Sequence, residues 1–482
     1  MSNDTKLPIE VSSLLRIYFS QTHCWLPVVD KTDVMRSSYR FARQRLDTPS
    51  QTCGSFALLW AVTASTTSQL FKSGHLAEHL ESENVSDELV SSYYAKAREL
   101  IPSEEGPFEI EHVQALLLLI LIKMNESSWS AAWILIGHAV RISISLNPTS
   151  LSGTADPHAS RLHHKAILGC FILDTLVSFH LSRPPYLREQ DVEKYGAIQE
   201  DGLDEWDHWS NPVSTTPSLQ PQLGPMFTLS TFNRLVGICK TLQFILISQL
   251  SGTSFSRTRV VETLNKETTG NPFTNILKHP GSSYQPEEQF LPHHHHLRLV
   301  YLIAVAALSP QSNLVVGDEH PWTGHIGSVC ASEIPKIMNG IRDKFGLNAI
   351  PQTYPLILAI ASRSQLSIGN DLSVNPFRSP IHGPCPGEVR PINGPGSLAL
   401  PSTREEDVER EQDIARRFPQ RDPNDGELWQ QDSLTDSNSV FNDFVAIDTF
   451  EWTSNWDEGL FNLGFTADSS TNDFYDFCEP GT

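Results

Sequence analysis

Apolar residues in the first 200 positions recur mostly at i, i+3, i+4 and i+7, the spacing of helices that bury one face. Over Glu10–Ser20 this puts Val11, Leu14, Leu15 and Tyr18 on a single stripe. The segment His23–Val34 then turns, with Pro27 holding Leu26 extended. Further helices are predicted over Ser55–Phe71, Asp87–Ile101, Glu109–Met124, Trp129–Leu146 and Arg161–Leu181. Glu109–Met124 opens on carboxylates, which suit a helix N-terminus, and is then apolar on nearly all sides. Such a helix belongs in the middle of a bundle. Asn147-Pro148 and Ser182-Arg183-Pro184-Pro185 stop the last two helices. A long acidic connection with prolines, Ala197–Pro225, carries Trp206 and Trp209. Helical spacing resumes over Phe227–Leu250 and His293–Leu308, and more weakly over Ile326–Phe345 and Tyr354–Ile368. No sustained alternation predicts a sheet and no fixed repeat predicts a solenoid, so the expected class is all-α, a multihelical domain followed by a disordered acidic tail.

The pattern breaks after residue 370. Between Asn375 and Pro401 stand seven prolines and four glycines in 27 residues, which neither helix nor sheet tolerates. Arg404–Arg417 reads as a short, solvated, charge-laced helix. Three regions are therefore expected: a helical domain over 8–370, a Pro/Gly-rich and charged linker over 371–421, and an acidic-aromatic tail over 422–482. Charge sharpens the division. The net charge is -21, and Asp422–Thr482 holds 14 acidic residues and no Lys or Arg. That balance argues against non-specific attraction to nucleic acid or anionic membrane. From Trp429 to Phe477 the tail interleaves 11 aromatics with carboxylates. Acidic neighbours keep such rings solvated and available, the alternation expected of activation domains that dock into apolar grooves of coactivators. Phe441, Phe444, Phe450, Trp452, Trp456 and Phe461 are the candidate contact residues. A loosely packed extension covering the domain is the alternative.

Catalytic chemistry is not evident. The chain has no G-x-S-x-G, GxGxxG, GxxxxGK[ST] or HExxH motif. His293–His296 is a run of four imidazoles, but on a helix only its first and last members share a face. It is read as a helix start, part core and part surface. The seven cysteines are scattered without a C-x2-C pair, as expected of reduced intracellular thiols, and Cys170 and Cys239 read as core fillers. Neither a metal site nor a DNA-binding residue is expected, because zinc needs converging thiolates and phosphates need a basic run. The longest apolar run, Ala115–Ile122, covers eight residues, short of the roughly 20 that span a bilayer.

Three blocks carry a resemblance. LLRIYFSQTHCWLPVVDKTDV (Leu14–Val34) is similar to the opening of the regulatory middle homology domain of fungal zinc-cluster transcription factors. YYAKAREL (Tyr93–Leu100) and Val113–Leu146 resemble its most characteristic part, where an "AW…G.A.R.A..L" helix follows a leucine-rich one. LGCFILDTLVSFHLSRPPYLREQDVE (Leu168–Glu193) resembles its "ilD…l..GRP..l...D" segment. Ser182 stands where that family usually has Gly, and an aromatic pair is replaced near Leu168-Gly169. The LGCF, LDTL and RPPYLR wording and the Asp201–Trp209 loop resemble quinate-pathway-type activators and regulators of metabolic gene clusters. The resemblance implies a nuclear regulator of transcription, not an enzyme, working through coactivators or the general machinery and pairing with itself or with a zinc-cluster protein. It also implies a zinc cluster ahead of this domain. Only 13 residues precede Leu14, so DNA contact is expected from a module missing here or from a partner. The alternatives are a DNA-binding-deficient partner or inhibitor of a zinc-cluster regulator, and a non-catalytic helical scaffold. Arg141 and Asp174 interrupt apolar helices at recurring polar positions of these blocks, and they are expected to form a partly buried ion pair.

Overall fold

In the computed structural model the apolar stripes become helices around one shared core. The structure describes residues 7–43, 53–75, 87–146, 156–211, 223–270, 272–280, 290–308, 315–316 and 326–369. Helices α1 (Val11–Gln21), α2 (Lys31–Arg43), α3 (Gly54–Lys72) and α4 (Asp87–Glu99) open the chain. The central group is α5 (Ile110–Asn125), α6 (Trp129–Ser145) and α7 (Pro157–Leu181), followed by the short α8 (Glu189–Glu193) and α9 (Leu203–Trp206). Then come α10 (Thr228–Ser251), α11 (Arg257–Glu267), α12 (Phe273–Ile276), α13 (Pro292–Ala306), α14 (Ile326–Phe345) and α15 (Tyr354–Gly369).

α5 sits at the centre because it has no polar face to offer water. Every residue from Ala115 to Ile122 is fully buried. Helices α3, α6 and α7 pack on it, and α3 also receives α1, α2 and α4. From α7 the contacts run to α10, then α13, α14 and α15. Helix α15 returns to touch α5 and α7, so the N- and C-terminal helices of the described domain enclose a continuous core. Burying each Leu of α5 is worth about 1.5–3 kcal/mol, which makes this helix the energetic centre. Helix α7 has 25 residues and enough apolar character to cross a bilayer by composition, but 78% of its most apolar stretch is buried inside the domain.

The helices expected from periodicity are present within a few residues of their expected ends. Five others were not anticipated, and two of these, α2 and α11, are longer than ten residues. Asp30 caps α2 by accepting from Asp33 N at 3.0 Å, and only a thin stripe of Val34, Ser38 and Phe41 faces inward. Ser256 caps α11 by accepting from Arg259 N, and Val260, Val261 and Leu264 are buried. Both helices are polar on average, which hides them from a search for broad apolar faces. Among the described residues, pairing of extended backbone is confined to two ribbons. β1 (His208–Trp209) runs antiparallel to β2 (Leu223–Pro225), and β3 (Phe255–Ser256) runs parallel to β4 (Val315–Val316).

One close approach and one left-handed backbone explain two residues of these blocks. A Cβ on Gly169 of α7 would meet Val28 Cγ1 at 2.5 Å, so the turn after α1 presses directly on this helix. Ser182 closes α7 in the left-handed conformation, φ 52°. Glycine adopts that conformation without strain, whereas a serine there carries some.

Candidate functional site

Arg141 of α6 and Asp174 of α7 converge on the loop between α7 and α8. Asp174 is fully buried. Its carboxylate accepts from Leu187 N at 2.8 Å and from Ser178 Oγ at 3.2 Å. Burial raises the Asp174 carboxyl to about 6, against the lowering effect of hydrogen bonds from Leu187 N, Ser178 and Tyr186 N. Gln243 of α10 grips the same loop from the other side. Its Nε2 donates to Leu187 O at 2.8 Å, and its Oε1 accepts from Glu189 N at 2.8 Å. The Tyr186 ring stacks on Trp133 at 4.8 Å between centroids. Gly137 makes room for it, because a Cβ there would stand 2.7 Å from Tyr186 Cζ.

The expected Arg141–Asp174 ion pair is not formed. Arg141 is exposed, and its guanidinium lies over the Tyr186 ring, 5.4 Å from the centroid. Asp174 points the other way, to the loop backbone. The two charges serve one loop from opposite sides: Asp174 satisfies its N–H groups while Arg141 covers its aromatic ring. A buried ion pair does exist elsewhere. Arg298 of α13, fully buried, donates to Glu333 of α14 at 2.6 and 3.0 Å and also to Lys278 O.

The acidic connection before α10 is partly internal. Glu205 is buried and accepts from Leu229 N and Ser230 N at 3.0 and 3.1 Å, closing the first turn of α10 in place of an N-cap side chain. Asp204 pairs with His23 and Lys165, each at 3.2 Å. Burial alone would raise its carboxyl, but these two partners outweigh it and hold the group well below the usual carboxylate range. The local signal was an Asp-Glu pair about two dozen residues ahead of a helix, too long a gap for a capping rule to reach.

All four members of the His293–His296 run are buried, contrary to a start shared between core and surface. Met226 O receives His293 Nε2 at 2.5 Å and His294 Nε2 at 3.2 Å. His296 Nε2 meets Thr353 Oγ1 at 2.8 Å, and its ring stands edge-on to Trp25. Burial pushes His293 down to about 4 and His295 and His296 down to about 3, so these rings are neutral at pH 7. Helical geometry gave the run two faces. The return of α15 and the segment around Met226 bury both of them.

Cys24, Cys53, Cys170, Cys239 and Cys330 are free. Cys170 and Cys239 are buried as expected of core fillers, and burial raises both thiols. Among the described residues, no group of three side chains within ligating reach of one ion includes a cysteine, so these residues do not fit a zinc cluster. Phe441, Phe444, Phe450, Trp452, Trp456 and Phe461 lie outside the described residues, as do the linker and the tail.

Comparison with known proteins places this arrangement. The fungal specific transcription factor domain matches residues 15–278, more than half of the 482. The chain belongs to this family. Among its relatives is the quinic acid utilization activator of Emericella nidulans, 39% identical over 52% of this chain and 31% of that protein. Another is the transcription factor qa-1f of Neurospora crassa, 30% identical over 73% of this chain and 42% of that protein. The chain thus spans less than half the length of either relative. No solved structure matches it. The loop held by Asp174 and Gln243 falls inside the family match, and Gly137, Arg141 and Asp174 build and cover it.

Proposed function

We propose that the chain is a non-catalytic regulator of transcription that acts in the nucleus on RNA polymerase II promoters. The helical domain is the regulatory part and the acidic tail the activating part. The family match over residues 15–278 carries the reading. The two relatives are named as a quinic acid utilization activator and a transcription factor, and on that likeness we assign the chain to pathway- or gene-cluster-specific activators. Phe441, Phe444, Phe450, Trp452, Trp456 and Phe461 enter apolar grooves of coactivators or the general machinery, while the surrounding carboxylates keep them in solvent. DNA contact is supplied by a zinc-cluster module outside these 482 residues, on the same polypeptide or on a partner. A second reading, a regulator that acts only through such a partner, is favoured by the net charge of -21, which opposes direct contact of this chain with DNA.

Residues 402–482 fused to an unrelated DNA-binding module should activate a reporter. Alanine at Phe444, Phe450, Trp452, Trp456 and Phe461 together should abolish activation, whereas Asn at a few carboxylates should only weaken it. Normal output from the aromatic variant would overturn the mechanism. Silence from the unmodified fusion would leave the helical domain as a scaffold.

A further inference from the structure

The outer face of α6 meets two cations without counter-charges, on a chain whose net charge is -21. Ile134, Gly137, Arg141 and Ile144 follow one another along it at helical spacing, and all but Gly137 are exposed. The Tyr186 ring fills the space that Gly137 leaves, and it stacks on Trp133 with centroids 4.8 Å apart. The Arg141 guanidinium lies 5.4 Å from the centroid of Tyr186, and that of Arg183 lies 5.1 Å from the centroid of Trp133. Each ring of the stack therefore carries one cation. Arg183 is exposed like Arg141, and among the described residues no carboxylate pairs with either.

The positive field extends past the stack. Burial, followed by the charges of Arg98 and Arg141, pushes His138 down to about 4, against its hydrogen bond to the Ser103 backbone. Arg98 of α4 is thus within electrostatic reach of the same ring as Arg141. Cations and rings alternate on this face as carboxylates and rings alternate near the end of the chain. Residues 445–477 hold eight aromatics, seven carboxylates and no Lys or Arg. Asp448, Glu451, Asp457 and Glu458 stand among Phe450, Trp452 and Trp456. A guanidinium lying on a ring still offers its N–H groups to a carboxylate, and Ile134 and Ile144 offer apolar surface to incoming rings. Residues 370–444 join α15 to this segment, and a chain of that length reaches up to about 250 Å when extended, so this face is within its range.

We propose that this face, formed by Ile134, Arg141 and Ile144 with Arg183 and the Trp133–Tyr186 stack, docks residues 445–477 of the same chain. Carboxylates of the segment pair with Arg141 and Arg183, and its rings lie against the two isoleucines. Exposed charge pairs are individually weak, so several act together, helped by the tether that makes the encounter intramolecular. The α6 face and a coactivator then compete for the same rings. The inference rests on the reading of the tail as an activating segment.

The test is photo-crosslinking within the full chain, with p-benzoylphenylalanine replacing Ile134, and with the same replacement at Phe244, exposed on α10, as the control. Mass spectrometry should place the crosslink from position 134 within residues 445–477 of the same molecule, and the control should give none. Combining Arg141→Glu with Arg183→Glu should lower the yield at least about fivefold. Changing Asp448, Glu451, Asp457 and Glu458 to Lys in that variant should restore part of it. Circular dichroism checks that the double variant folds. If it does not, NaCl at about 0.5 M decides on the parent, where it should lower the yield similarly. Equal yields from positions 134 and 244, a crosslink between two copies, or none to residues 445–477 would overturn the proposal. The reporter fusion of residues 402–482 lacks the helical domain, so it tests activation separately, whichever way the crosslink falls.

Discussion

Replacing Asp174 by Asn removes a charge yet keeps the shape of the side chain that holds the loop after α7. Asn Oδ1 can accept from Leu187 N as the carboxylate does, and its amide can donate to Ser178 Oγ, whose hydroxyl rotates to suit. The consequence lies in the pH dependence. The native carboxyl titrates at about 6 against an ordinary value of 3.8, so between these values the folded state binds more protons than the unfolded one. Stability therefore falls as pH rises through this window. The full shift of about 2 units corresponds to roughly 3 kcal/mol, of which about 1 kcal/mol falls between pH 5 and 7.5. Chemical denaturation of parent and variant across that range is the assay. The Asn variant should gain about 1 kcal/mol relative to the parent from pH 5 to 7.5. Asp174→Ala at pH 5 should instead lose about 1–3 kcal/mol, because Leu187 N–H is left buried without an acceptor. A parent-to-Asn difference that stays constant with pH would refute the reading of Asp174 as a buried, partly protonated anchor. Since Arg141 only covers Tyr186, Arg141→Ala should cost less than about 1 kcal/mol, with coupling to Asp174 arising only through the loop they share.

Other outcomes follow from the same contacts. Ser182→Gly should stabilise the domain by about 0.5–1 kcal/mol, seen as a higher melting temperature, because glycine removes the left-handed strain at the end of α7. Glu333→Ala should cost about 3–5 kcal/mol in urea denaturation by stranding the buried Arg298 guanidinium, whereas Arg298→Met with Glu333→Leu should cost much less. His293, His295 and His296 bind fewer protons folded than unfolded below about pH 6.5. Stability should therefore be lost as pH falls from about 6.5 toward 4, opposite in sign to the Asp174 contribution, and His296→Gln should flatten that acid limb. An acid limb unchanged in the variant would mean that this ring does not contribute.

The sequence by itself determined the fold class and most helices, because helical periodicity and its stop signals are local. Trp129 to Leu146 and Arg161 to Leu181 were delimited by an apolar stripe and a following proline, and the structure places α6 and α7 there. The same rule missed α2, whose inward stripe of Val34, Ser38 and Phe41 is too narrow to stand out in a polar segment. Only the tertiary structure decided where charges find partners. Asp174 was visible as a polar interruption, yet its partner is a backbone N–H 13 residues away, on a turn whose path periodicity does not specify. Arg298 lies in an apolar run, and nothing local to it indicates Glu333 on the next long helix. The histidines show the same limit from the other side. A helix start assigns them to two faces, but burial depends on what packs against each face, and that is set by segments near Trp25, Met226 and Thr353. Local propensity acts within a few residues, whereas desolvation and hydrogen-bond satisfaction are properties of the assembled core.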